Sequence, residues 1–409
     1  MFLPEFWPAY YEKAKGTSVW DLDGNRYTDL SIMGIGSCVL GYANPSVNVA
    51  VKKSIGLGTM STLNCHEEVS LAEKLIALHP WAGMARFART GGEACAIAVR
   101  ISRAFSGKDK IFFCGYHGWT DWYLASNLTG TENLSKLLLP GLAPNGVPKA
   151  LAQTAIPFHY GVLDELKAKV AAHKGRIGTI IMEVQRHKPV DVAFLKAVRA
   201  IASKIQAVLI FDEITSGFRA RCGGCHMLYG VEPDIVVLGK AMGNGYPIAS
   251  VIGRKDVMQA AQETFISSTY WTERIGFVAA LEVIRQFQKK QVPKHLERIG
   301  RELITGLRSI FASYDLKIEV EGTNANPILV IHEQDPLVVK TVFTQEMLKR
   351  GFLASTTIYL SLAHTSRTIR CYLAQAAEVF ALISKAIKKN ELQRLLQGPV
   401  CHSGFQRLA

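Results

Sequence analysis

AVLIFDEITSGFR at 207–219 and PDIVVLGKAMGNGYP at 233–247 decide the fold. Each joins an apolar run too short for a helix to a polar or glycine-rich turn, the pattern of a buried strand that ends in a loop. The runs 110–114 KIFFC, 178–183 GTIIME and 248–252 IASVI repeat it. Helix-like segments alternate with these strands, so the expected class is α/β: a large domain with a mostly parallel central sheet between helices. In such a sheet, ligand-binding groups lie just beyond the carboxyl ends of the strands. Glu183, Asp212 and Lys240 fall there.

Outward from this centre, Glu67 to His79 has helical spacing, with Val69, Ala72, Leu75 and Ile76 on one face. TSVWDLDGNRYTDL at 17–30 reads as a hairpin around Asp23-Gly24-Asn25, a cluster that tolerates positive φ. After Glu273 the pattern changes to two long helices, 274–290 and 293–313. Short strands near 316–321 and 327–332 follow, then helices near 336–350 and 372–388. The expected division is a large domain at 61–285 and a smaller α+β domain built from both chain ends, 1–60 and 286–409.

With 409 residues, 48% hydrophobic and 20% charged, the chain has the makeup of an ordinary globular protein rather than a disordered one. No window approaches the length of a membrane span, and the first residues lack the order of a secretory signal. The eight cysteines are scattered and read as reduced thiols, so the expected location is cytoplasmic. The net charge of +13 is spread over helix faces such as 285–308 rather than gathered into a stripe. That argues against a nucleic-acid partner and for small anionic ligands.

Four elements carry chemistry. A carboxylate at a strand end, Asp212, suits a pyridinium nitrogen, because an ion pair in a dry site favours both charges; the plain alternative is an Asp that ties its own loop. Lys240 ends the strand DIVVLG before the glycine-rich AMGNGYP. A partly desolvated lysine there offers a free amine for imine formation; a solvated loop lysine is the alternative. Thr90-Gly91-Gly92-Glu93-Ala94 opens a helix whose first amides form a phosphate cradle, or else an ordinary αβ turn. Cys114-Gly115-Tyr116-His117-Gly118-Trp119 places an aromatic ring where it stacks on a flat heterocycle, or forms a surface loop.

In their joint order these motifs resemble the class III, ornithine and ω-amino acid type, aminotransferases, and within them the branch of glutamate-1-semialdehyde 2,1-aminomutase. The carriers are WDLDGNRYTDLS at 20–31, LGYANP at 40–45, RTGGEA at 89–94, YHGW at 116–119, FDEITSGFR at 211–219, PDIVVLGKAMGNGYP at 233–247 and SLAHT at 361–365. The resemblance implies aminotransferase fold type I and pyridoxal 5'-phosphate as cofactor. Lys240 would form the internal aldimine and Asp212 would pair with the pyridine nitrogen. Ile214 would pack under the ring opposite Tyr116, Gly91 and Gly92 would present amides to the phosphate, and Glu183 would be a carboxylate near the cofactor. Thr269 would reach the phosphate of the neighbouring subunit, which implies a homodimer with shared active sites. The implied reaction moves an amino group from a small-molecule donor to a carbonyl acceptor. The alternative is an intramolecular 2,1-aminomutase.

Some positions depart from the family pattern. Gly92 stands where many relatives have a hydroxyl, Val184 replaces a proline within VQRHKPV at 184–190, and ASTTIY at 354–359 lacks the acidic residue typical of the mutase branch. The chain starts close to its first hairpin, leaving little room for an N-terminal arm. The last two points weigh against the mutase. Cys222-Gly-Gly-Cys225-His226 matches a haem-attachment pattern, but it lies in the loop after Asp212 and has no second cysteine pair, so no metal or haem is expected.

Overall fold

The structure is a computed structural model that describes residues 2–130, 133–135, 141–185 and 189–403. The described residues form two compact units, one made of 2–48, 189 and 286–403, the other of 49–185 and 190–285.

The second unit is organised by a seven-stranded sheet. Its spatial order is Met84–Ala88, Ala249–Gly253, Ile235–Leu238, Val208–Asp212, Ile177–Glu183, Lys110–Cys114 and Ala155–Pro157. All paired neighbours are parallel except that Ala249–Gly253 runs against both strands beside it. Phe112, Phe113, Ile180, Ile181, Leu209, Ile210, Phe211, Val236 and Val237 are all fully buried. A parallel strand covered on both faces needs unbroken apolar sequence, which is why these segments show no alternation. In register, Glu183 lies opposite Asp212, and Asp212 opposite Val237. The carboxyl ends therefore form one row, with Lys240 two residues beyond Leu238.

The helix Gly91–Ser106 starts on that same edge. The Thr90 hydroxyl accepts from the Glu93 amide, and the Glu93 carboxylate accepts from the Thr90 and Arg89 amides, a capping box that fixes the first turn. Gly107, in the left-handed region, ends it. Its apolar face, with Ala94, Cys95, Ile97, Ala98 and Ile101, is buried in the same cluster as the strand residues Ile181, Ile210 and Val237.

In the first unit, the 17–30 segment does form an antiparallel hairpin, Ser18–Asp21 with Arg26–Leu30. The Asp21 carboxylate accepts from the amides of Asp23 and Asn25, the Asn25 side chain and the Tyr27 hydroxyl. Tyr11–Lys15 and Phe352–Ala354 complete a four-stranded sheet. The first of these escapes a pattern reading because YEKAK is almost wholly exposed. The helix expected near 372–388 begins six residues earlier, at Ser366, because Thr365 and Thr368 cap it before its apolar spacing starts. SLAHT ties this unit together: buried His364 accepts from the Ser361 amide at 3.0 Å and donates to the Asp29 carbonyl at 2.8 Å. No helix among the described residues is long and apolar enough to cross a membrane.

Ile210 sits at the middle of the central strand with no exposed surface. Truncating it to alanine leaves a cavity under the site, and a loss of about 2–5 kcal/mol is expected. Urea unfolding followed by circular dichroism checks this.

Candidate active site

Three donors converge on the buried Asp212 carboxylate. The Ile214 amide reaches Oδ1 at 3.0 Å, while His117 Nδ1 at 2.8 Å and Cys95 Sγ at 3.3 Å both reach Oδ2. The first bond closes the loop on itself, as an Asp at a strand end tends to do. The other two come from the helix Gly91–Ser106 and from the loop after Lys110–Cys114, so one carboxylate joins three elements. His117 is almost fully buried and lies flat against Trp122, with ring centroids 6.1 Å apart. Its Nε2 has no hydrogen-bond partner among the described residues.

Cys95, His117 and Asp212 have their donor atoms within 4.8 Å of one another, which raises the question of a metal. The spacing answers it in favour of hydrogen bonding. Ligands of one tetrahedral ion at about 2.0–2.3 Å would stand roughly 3.3–3.7 Å apart, wider than the 2.8 Å between His117 and Asp212. Burial, reinforced by the Asp212 charge, also pushes the Cys95 thiol well above its ordinary range, so it keeps the proton it donates.

Lys240 has a left-handed backbone, φ 43°, directly after Gly239. Non-glycine residues adopt this at a cost of about 1 kcal/mol, so the turn is imposed by its surroundings. Its ε-amine donates to Thr215 Oγ1 at 2.9 Å. Asp212 thus ends one strand and Lys240, 28 residues on in the chain, follows two residues after the end of its hydrogen-bonded neighbour, and Lys240 is bonded to the loop that Asp212 opens.

Ile214 connects the remaining pieces. A Cβ at Gly91 would lie 2.7 Å from Ile214 Cδ1, and one at Gly239 would lie 3.6 Å from Ile214 Cγ2. The helix start, the Asp212 loop and the residue before Lys240 therefore meet around one side chain. Gly118, at φ 103°, brings the YHGW loop against the glycine pair: its missing Cβ would stand 2.7 Å from the Gly92 Cα. Glu183 accepts from the Tyr116 amide at 3.0 Å. Its carboxylate thus helps to hold the aromatic loop, a structural task that the strand-end position did not disclose.

Of the residues expected from sequence, Gly91, Gly92, Tyr116, Glu183, Asp212, Ile214 and Lys240 gather on this edge of the sheet. Thr269 does not join them through a hydrogen bond among the described residues; it is exposed, in the loop before Arg274–Lys290. That loop is nonetheless anchored to the site's base. The Arg89 guanidinium donates to the carbonyls of Tyr270, Trp271 and Glu273 at 2.7–3.0 Å, one residue before the glycine loop begins. Sequence reading passed over His117, Cys95, Thr215 and Arg89. His117, Arg89 and Thr215 stood inside quoted motifs, YHGW, RTGGEA and FDEITSGFR; Cys95 carried no such signal.

A family model for class-III aminotransferases matches residues 5–387. The chain is 32% identical over 355 residues to a 3-aminobutyryl-CoA aminotransferase of Cloacimonas acidaminovorans (strain Evry), covering 84% of this chain and 81% of that protein. It is 31% identical over 317 residues to a 2'-deamino-2'-hydroxyneamine transaminase of Streptomyces kanamyceticus, covering 77% and 76%. Among solved structures, the FumI protein of Sphingopyxis sp. MTA144 in its PLP internal aldimine form superposes with a TM-score of 0.86 at 23% identity, over 97% of this chain and 94% of that one. A glutamate-1-semialdehyde aminomutase of Pseudomonas aeruginosa PAO1 gives 0.78 at 18% identity, over 90% and 87%. At these identities the structural likenesses speak for the fold alone.

Beneath the Asp212 loop lies a second buried carboxylate, Glu213. It accepts from the amides of Cys225 and His226 at 2.6 and 2.9 Å, from the Ser216 hydroxyl at 3.0 Å and from His226 Nδ1 at 2.6 Å. Burial alone would raise its pKa, but the His226 contacts and the other donors outweigh that and hold it at about 2. Cys225 and His226 of the CGGCH stretch thus line a carboxylate. His79 packs on His226 with centroids 5.5 Å apart, accepts from the Gly224 amide at Nε2, and donates from Nδ1 to the Leu75 carbonyl.

Burial lowers the His79 pKa to about 4 from an ordinary 6.5. Between those values the unfolded chain binds a proton that the folded one refuses, so stability falls as pH drops from 6.5 to 4. His79→Gln is expected to remove about one proton's worth of that slope, near 1.4 kcal/mol per pH unit, in urea midpoints measured across the window.

Proposed function

This chain belongs to the class-III aminotransferases, and from that premise we propose that Lys240 carries its cofactor while Asp212 holds the far side of the cofactor's ring. The enzyme is a pyridoxal-phosphate-dependent transaminase that moves an amino group between a donor and a carbonyl acceptor. The observation behind the residue roles is the meeting of the Lys240 turn, the Asp212 loop and the Gly91 helix start around Ile214.

The residues fit the cofactor. Lys240 offers a primary amine and Asp212 a carboxylate. Gly91 and Gly92 offer first-turn amides that no helical carbonyl reaches, at the positive end of a 16-residue helix. Ile214 and Tyr116 would bracket the ring, and Glu183 would set the Tyr116 loop through the amide it accepts from. His117 and Cys95 would keep the Asp212 carboxylate in place. When bound, the cofactor supplies an electron-withdrawing ring that stabilises the charge left when a proton leaves the amine-bearing carbon. Lys240, freed by the incoming amine, would move that proton with its own ε-amine.

The homodimer and the cytoplasmic location belong to the same proposal. Thr269 is exposed on a loop anchored by Arg89, which suits a hydroxyl that completes a neighbour's phosphate site. All eight cysteines are free thiols, which suits a reducing compartment. For the substrate, we favour an amine on a carbon other than the one next to a free carboxylate. One relative's name places it on carbon 3 of an acyl-CoA, and the other's on a neamine. The intramolecular mutase finds support only in the fold-level likeness to an aminomutase.

Lys240→Ala is expected to lower turnover by roughly a thousandfold or more while still binding cofactor noncovalently; unchanged turnover would refute the assignment. Thr269→Ala is expected to weaken cofactor retention on dialysis about tenfold, as loss of a hydrogen bond to a charged group does. Retention at the parent level would remove the shared site. Donors screened for bleaching of the yellow enzyme, with and without a carbonyl acceptor, separate the two reactions, since a mutase turns over without the acceptor.

A further inference from the structure

Resting on that reading, we propose that Thr215 is a positioning residue for Lys240: its hydroxyl fixes the direction from which the ε-amine attacks the cofactor's aldehyde. The Nζ to Oγ1 distance is 2.9 Å. An amine that donates one N–H to Thr215 has its lone pair directed away from that oxygen, so the bond selects one orientation among those a four-carbon side chain would sample. Losing it gives that side chain back some of its rotamer freedom, which must then be lost at the moment of reaction.

Thr215 is itself held. Its carbonyl accepts from Arg219 Nε at 2.7 Å, and Arg219 is buried. One residue before it, the Ile214 amide is bonded to Asp212 Oδ1. The loop base is fixed by the Glu213 amide on the Val237 carbonyl and the Gly217 amide on the Glu213 carbonyl. The hydroxyl therefore stands at a fixed place relative to the Asp212 carboxylate, three residues away. In the capture step Nζ forms a bond to the aldehyde carbon, the carbon–oxygen double bond breaks, and the oxygen leaves as water with the two amine protons. Thr215 is neither consumed nor charged in it.

The test uses full-length apoenzyme and added pyridoxal 5'-phosphate. Appearance of the yellow band gives the rate of covalent capture, and fluorescence quenching gives noncovalent affinity. Thr215→Val, close in shape but lacking the hydroxyl, is expected to slow capture about tenfold, and Thr215→Ser to restore it. In a Lys240→Ala background, Thr215→Val is expected to leave noncovalent affinity unchanged, because the hydroxyl acts through the lysine. Capture at the parent rate in Thr215→Val overturns the proposal. So does Thr215→Ser behaving like Thr215→Val, or an equal loss of affinity in the Lys240→Ala background, which would make Thr215 a direct cofactor contact. If Thr215→Val does not fold, the serine variant with Thr215→Ala decides in the same way. Should Lys240→Ala still capture cofactor covalently, the assignment of Lys240 fails first; normal capture through Lys240 with no response at Thr215 sinks this inference alone.

Discussion

Everything at the site depends on the pairing of two parallel strands, Val208–Asp212 and Ile235–Leu238, which places Asp212 opposite Val237. Backbone hydrogen bonds are directional and buried strands have no solvent to exchange with, so this register is costly to shift. It continues past the strand end, where the Glu213 amide donates to the Val237 carbonyl at 2.9 Å. A carboxylate and an amine from distant parts of the chain are thereby delivered to the same edge with almost no freedom.

The side chains then tighten what the register delivers. Ile214 fills the space that two glycines leave open, and a side chain on Gly91 would collide with it. Glu213, turned under the loop, is a buried charge that survives only because four donors surround it. That makes the loop floor stiff: removing one donor leaves a carboxylate partly unpaired in a dry interior. Arg89 extends the framework outward by collecting three carbonyls of the 270–273 segment.

Much of this was legible in the sequence because it was written in periodicity and punctuation. Uniformly apolar strands ending in Asp212 or just short of Lys240, and the Thr90-Gly91-Gly92-Glu93 helix start, follow from local physics. Less visible was anything that depends on two distant segments meeting. Cys95 looks like one more small residue on a buried helix face until the fold brings Asp212 to it. His226 sits in a pattern that resembles a haem site, and only the neighbourhood of Glu213 shows its task. Glu183 was rightly placed at a strand end, but its bond to the Tyr116 amide could not be read from spacing. The strand Tyr11–Lys15 was invisible for a different reason: nearly all of it faces solvent, so it has no hydrophobic pattern to read.

Borohydride reduction of the yellow enzyme followed by peptide mass spectrometry tests the central claim most directly, because it fixes the cofactor to whichever amine holds it. The phosphopyridoxyl mass is expected on the peptide containing Lys240 and on no other. An adduct on a different lysine, or none on a fully active enzyme, would contradict it.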